Sequence, residues 1–212
     1  MPSVGAGGVC FTFASIWSST LIEGYQGLPG SGKSYTLTAR ALEVARRGRQ
    51  VWANYEMNHK NIALFDMKDL LELPPGLVVI DEAHLWFDAR LSMKLPPEYL
   101  MKLSQTRKAQ WDILYCSQDL GNVDKRLRIV TNWAWDCHAY FKSWNPKGNP
   151  LLFTAKCYPP KHLGKPKKHV VTRYRFFNKK VAAAFDTLQT LEQADHILKA
   201  GAAAKARRER SA

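Results

Sequence analysis

The stretch Gly27-Leu28-Pro29-Gly30-Ser31-Gly32-Lys33-Ser34 has the residue types and the spacing to hold a chain of phosphates. It fits Gly-x-x-x-x-Gly-Lys-Ser/Thr, the P-loop, in which successive backbone N–H groups wrap the phosphates, the lysine reaches the β and γ phosphates and the hydroxyl turns to Mg²⁺. Glycines at 27, 30 and 32 permit backbone angles and a close approach that a Cβ would obstruct. All eight residues, with Tyr35 behind them, are therefore assigned to nucleotide binding; ATP and Mg²⁺ are the expected cofactors, and Lys33 is also counted as catalytic. A second cluster is Leu77-Val78-Val79-Ile80-Asp81-Glu82, four apolar residues ending in two acids. Such a pair is costly unless it meets a cation or solvent at a sheet edge. This is the Walker B arrangement, so Asp81 joins Ser34 as a metal position and Glu82 is the general base that polarises the attacking water.

Two further positions complete the expected chemistry. Gln118 ends the apolar segment 111–117 and is placed to sense the γ-phosphate from a strand lying between the two motif strands. Charge that builds on the γ-phosphate calls for an arginine, in cis or from a neighbouring subunit; Arg107 is the candidate, with Arg126 and Arg128 competing. His84 completes Asp-Glu-Ala-His, a string shared with helicases whose second motor domain this chain has no room for. It is expected to be a loop or packing residue, with coupling as the lesser reading.

The elements that must position these groups follow from periodicity. Residues 20–25 read as a strand entering the loop. The helix over 34–47 carries Leu37, Ala41, Leu42, Val44 and Ala45 largely on one face, stops at Gly48, and turns its N-terminal dipole on the phosphates. Strands are expected over 50–55, 77–82 and 111–117, with a short segment at 68–72 and a helix over 96–105 between them. Alternation predicts another strand over 129–138, then a hairpin through 140–142 and 151–158, and a third alternating segment over 169–177. The spacing of Phe185, Leu188, Leu191, Ala194 and Leu198 predicts an amphipathic helix over 181–199.

Composition limits the partners. The formal charge of +13 and a pI near 9.7 favour anions, with single-stranded DNA and anionic lipid as the candidates. No acid lies between Asp136 and Asp186, where eleven lysines and arginines interleave with aromatics. Cys10, Cys116, Cys137 and Cys157 are widely spaced and read as free thiols of a reducing compartment. Residues 1–19 are an uncharged leader without a basic n-region and are expected to be poorly ordered; Arg207, Arg208 and Arg210 form a basic tail.

The order and spacing of Gly-Leu-Pro-Gly-Ser-Gly-Lys-Ser, Val-Val-Ile-Asp-Glu-Ala-His, Gln118 and Val123-Asp124-Lys125-Arg126-Leu127-Arg128 resemble the N-terminal ATPase domain of the zonular occludens toxin (Zot) family, the filamentous phage assembly proteins. The resemblance runs from about 21 to 185. It implies a cytoplasmic motor at the inner membrane of the infected bacterium, working as a homo-oligomeric ring with phage coat or assembly proteins and using ATP in phage export. Two departures are the longer leader and an end without a membrane helix or outer domain. The basic tail would suit the cytoplasmic side of a membrane helix in a longer parent protein.

The expected fold is a three-layer α/β P-loop NTPase of the RecA or additional-strand type. It has a mainly parallel sheet, the P-loop strand near its centre and a small C-terminal β-hairpin appendage. The domain covers 20–180 with the basic appendage at about 138–178, and 181–212 form a helix and tail. The expected activity is ATP hydrolysis by an oligomer. A nucleotide-switched single-stranded nucleic-acid-binding or DNA-translocating module is the alternative; salt-dependent binding lost on neutralising Lys167, Lys168, Arg173 and Arg175 would favour it.

Overall fold

A computed structural model describes residues 21–88, 105–106, 110–141, 150–162 and 169–185. One eight-stranded sheet runs through them. In chain order its strands are β1 (Ile22–Gln26), β2 (Val51–Ala53), β3 (Ile62–Leu64), β4 (Gly76–Ile80), β5 (Trp111–Cys116), β6 (Trp133–Tyr140), β7 (Leu152–Tyr158) and β8 (Val171–Phe176), and across the sheet they lie β3-β2-β4-β5-β1-β6-β7-β8. From β3 to β6 every pairing is parallel; β7 and β8 then add on antiparallel. The strand that feeds the P-loop lies near the centre, and β5 is inserted between it and β4, as expected.

The parallel half is covered on both faces. Helix α1 (Lys33–Arg46) lays Leu37, Ala41, Val44 and Ala45 against Tyr25, Val51, Ala53, Leu77, Val79, Leu114 and Trp135. On the opposite face, short 3-10 turns and helix α2 (Lys125–Val130) bury Leu70, Phe87, Leu120 and Leu127 against Val78, Ile80, Ile113 and Tyr115. This double cover explains why β4 is an unbroken apolar run buried at all five positions. Each such Val, Leu or Ile contributes about 1.5–3 kcal/mol by leaving water. Gly24 lets the Tyr115 ring lie across β1, since a Cβ there would stand 2.7 Å from the ring.

Several expectations are corrected. The strand expected from 129 begins only at Trp133, because Asp124 accepts from the Arg126 N–H and caps α2 through Val130. The expected hairpin and third alternating segment are present as β6, β7 and β8, and they extend the main sheet, since β6 pairs with β1 on one side and β7 on the other. Strand β3 falls between the strand expected over 50–55 and the short segment expected at 68–72, where no strand was expected. Helix α3 (Lys179–Ala182), capped by Asn178, ends where the helix over 181–199 was expected to run on. Phe185 instead forms a β-bridge with Met57. The leader, most of the helix over 96–105, and residues 186–212 lie outside the described residues. Cys116, Cys137 and Cys157 are buried free thiols, as expected of them.

Candidate nucleotide site

Parallel strands carry their C-terminal ends to one edge, and the functional groups gather there. β1 delivers the P-loop, β4 delivers Asp81 and Glu82, β5 delivers Ser117 and Gln118, and β2 delivers Asn54. A cleft of about 720 Å³ is lined together by Pro29, Gly30, Gly32, Lys33, Ser34, Tyr35, Asp81, Glu82, His84 and Gln118, and by apolar residues from the C-terminal part of the domain.

The P-loop is shaped by its glycines. Gly32, at φ 88°, precedes α1, and a Cβ there would fall 2.2 Å from the Phe153 ring, so the loop can rest on that ring only as glycine. The Gly27 N–H donates to the Gln118 carbonyl at 3.2 Å and joins the loop to the tip of β5. Lys33 is buried and its ammonium donates to the Gly27 and Leu28 carbonyls at 2.9 and 3.3 Å, held at the mouth of the loop. The Ser31 hydroxyl is buried without a hydrogen-bond partner. Leu28 is 79 % exposed, so this member of the loop reaches into solvent.

Asp81 is buried, and its backbone is fixed by a reciprocal clamp: Asn54 Nδ2 donates to the Asp81 carbonyl at 3.0 Å, and the Asp81 N–H donates to Asn54 Oδ1 at 2.8 Å. Its Oδ1 accepts from the Glu82 N–H at 3.0 Å and from the Cys116 thiol. Burial, then the Asp81 charge, pushes that thiol well up, so it acts as a neutral donor. Glu82 takes a left-handed backbone, φ 48° and ψ 49°, an arrangement uncommon for this residue that turns the chain sharply after the strand. Burial and the adjacent Asp81 raise the Glu82 pKa; His84 and Lys33 oppose them. Glu82 Oε2 is buried without a hydrogen bond, although His84 Nδ1 stands 3.3 Å away.

His84 Nδ1 also lies 3.3 Å from the Ser117 hydroxyl, which itself donates to the Asp119 carbonyl at 2.9 Å. The imidazole thus joins the carboxylate after β4 to the tip of β5. Only the fourth place in Asp-Glu-Ala-His hinted at it. Gln118 is exposed and lines both this cleft and a neighbouring hollow of about 570 Å³ on the other side of the P-loop. Tyr35 lines the cleft, yet its hydroxyl is engaged elsewhere, donating to the Phe176 carbonyl at 3.2 Å and accepting from the Asn178 N–H at 2.8 Å. Arg107 lies outside the described residues. Its competitors do not line the cleft: Arg126 closes a double hydrogen bond on Asp124, and Arg128 Nε donates to the Val123 carbonyl.

The family model described as zonular occludens toxin (Zot) matches residues 65–141, the span from before β4 to just past β6. The Gene 1 protein of Escherichia phage If1 is 29 % identical over 131 residues, which is 56 % of this chain and 37 % of that protein's length. Among solved structures, the N-terminal domain of zonular occludens toxin from Neisseria meningitidis is 18 % identical with a TM-score of 0.57, covering 79 % of this chain and 99 % of that one. A genome packaging NTPase of Sulfolobus turreted icosahedral virus 2, solved with ATP-gammaS, is 11 % identical with a TM-score of 0.50, covering 74 % of this chain and 97 % of that one. The likenesses agree with the resemblance read from the motifs: this chain has a P-loop NTPase fold and is similar to the Zot family.

Proposed function

We propose that the chain binds MgATP and hydrolyses it. The observation that carries this reading is a single cleft lined by Lys33, Ser34, Asp81, Glu82 and Gln118. The Ser34 hydroxyl and the Asp81 carboxylate are hard oxygen donors suited to Mg²⁺, which ordinarily keeps waters and phosphate oxygens as its other ligands. Among the described residues no three or more His, Cys, Asp and Glu gather as a metal cluster, in keeping with an ion held largely by the nucleotide. The metal, when bound, would neutralise charge on the β and γ oxygens. Lys33 holds the same phosphates, Glu82 orients the attacking water, and Gln118 stands where the γ-phosphate would be sensed. An arginine, Arg107 or a neighbour's, would complete the site in a ring.

The likeness to a phage Gene 1 protein supports a role in filamentous phage assembly and export, with the motor at the cytoplasmic face of the inner membrane and phage coat or assembly proteins as partners. The net charge suits anionic lipid there.

Phosphate release measured with and without Mg²⁺ tests the reading, for wild type and Glu82→Gln, across protein concentration and with or without single-stranded DNA. The expected result is turnover that rises with concentration and is abolished in Glu82→Gln, which still binds ATP. Binding without turnover under every condition would discard hydrolysis by this domain and favour the nucleotide-switched single-strand binder. One observation speaks for that second reading: Tyr174 and Phe176 are 67 % and 77 % exposed on β8, where bases could stack.

A further inference from the structure

The cleft is lined by more than the residues of the two motifs. Beyond Ser34 and Tyr35 it continues between apolar side chains, Pro150, Phe177, Ala182 and Phe185, with Phe153 beneath the P-loop. Phe177, Ala182 and Phe185 come from the chain that leaves β8, whereas Pro150 and Phe153 lie at the start of β7. Residues 177–185 cross over the first turns of α1: Phe177 stacks near Tyr35 with ring centroids 6.0 Å apart, Val181 and Ala184 pack against Ala39 and Leu42, and Phe185 reaches the Met57 bridge beyond β2. The Asn58 N–H donates to the Ala184 carbonyl at 2.9 Å, which fastens the far end. This crossing segment forms one wall of the cleft.

The direction of the wall matters. Lys33 and the carboxylates fix where the β and γ phosphates lie, and the phosphate nearest the nucleoside must then sit toward Ser34 and Tyr35, at the start of α1. A nucleoside leaving from there meets the crossing segment. Of the two hydroxyls at that end, that of Ser34 is assigned to the metal, and the donor and acceptor roles of that of Tyr35 are filled by Phe176 and Asn178. What remains to meet the ligand is half-buried aromatic and aliphatic surface from Phe177, Ala182 and Phe185.

We infer that the crossing segment is the nucleobase subsite, with Phe177 and Phe185 receiving the flat ring of the base and Ala182 keeping the space between them open. The inference rests on the nucleotide-binding reading above and adds to it the part of the ligand that the motifs do not address. The side chains offer stacking area and not a pattern of donors and acceptors, so the subsite supplies affinity for a base.

Calorimetric titration of the full chain in Mg²⁺ separates the two claims, with ATP and inorganic tripolyphosphate as the probes. Tripolyphosphate is the more highly charged, so any greater affinity for ATP must come from the nucleoside. The expected result is ATP binding at least about 10-fold tighter than tripolyphosphate, with Phe177→Ala and Ala182→Trp each reducing ATP affinity about 10-fold and leaving tripolyphosphate unchanged. Phe185 also touches Tyr55, with ring centroids 6.3 Å apart, so the test uses its two neighbours and checks their thermal unfolding alongside. Equal affinity for the two probes in wild type, or equal losses for both in the folded variants, would overturn the subsite while leaving the phosphate site standing. Binding of neither probe would overturn the nucleotide reading itself.

Discussion

The two ends of the sheet are built on different terms. In the parallel half, β4 and β5 are covered on both faces, and strand residues serve the core whichever way they point. In the antiparallel end, β8 has one covered and one open face. Arg173 and Arg175 turn toward α1, the first lying 4.1 Å over the Trp135 ring and the second pairing with Glu43 at 2.7 Å, while Tyr174 and Phe176 point the other way into solvent. The interleaving of basic and aromatic residues, read along the chain as one mixed surface, is split by the period of two into an anchored basic side and an exposed aromatic side. The parallel half supplies rigidity to the edge that carries the proposed catalytic groups; the antiparallel end supplies a surface.

Substitutions can break or sharpen that contrast. The largest effect is expected at the catalytic edge. Lys33→Ala should weaken ATP binding by about 100-fold or more, on the order of 3 kcal/mol for a lost charge-assisted contact, read by calorimetry. Next comes the doubly covered core, where Ile113→Ala should cost about 2–5 kcal/mol in urea unfolding, because the cavity is closed on both sides. Asn54→Ala, which strands the Asp81 N–H and carbonyl without partners, should cost about 1–3 kcal/mol and reduce phosphate release as Asp81 loses its fixed place.

At the antiparallel end the effects are smaller. Burial pushes the Glu43 carboxyl up, but the hydrogen bond and charge of Arg175, aided by Arg40, outweigh it and hold the folded-state pKa below the usual carboxylate value. A group depressed in this way stabilises the fold above its unfolded pKa and loses that contribution as pH falls through its folded pKa. Arg175→Ala should therefore flatten part of the acid limb of a stability-against-pH curve while costing no more than about 1 kcal/mol at neutral pH, the side chains being partly in water. Tyr174→Ala should be within about 0.5 kcal/mol of wild type in the same unfolding assay. A Tyr174→Ala loss as large as that of Ile113→Ala would mean that the open face is covered and would erase the contrast.

The catalytic edge was largely legible because its signals are local. Glycines at fixed offsets before Lys33, and an apolar run ending in Asp81 and Glu82, each announce a strand, a turn and a chemistry within a few residues. The insertion of β5 between β1 and β4 also agrees with the reading of Gln118. The antiparallel end was less legible, because the pairing of β6 with β1 joins Trp133 to Glu23 and no local pattern records so distant a partner. The start of β6 was misread because Ile129 and Val130 have strand chemistry while sitting in the last turn of a helix that Asp124 begins. Phe185 was assigned to a helical stripe on spacing alone; its bridge to Met57 depends on a residue far upstream, in the connection between β2 and β3. His84 could not be weighed without knowing that Ser117 lies beside it.

The place of β1 in the sheet bears on how this protein is made. Its flanking partners are Ile113 on one side and Trp133 on the other, so the strand that carries the P-loop leaves the ribosome long before either neighbour exists. Contacts so far apart in sequence form slowly and leave strand edges unpaired meanwhile. The nascent P-loop therefore cannot hold its native shape until β5 and β6 have been synthesised. From that moment a nucleotide gripping the loop would also staple the two halves of the chain together and favour the folded state by mass action.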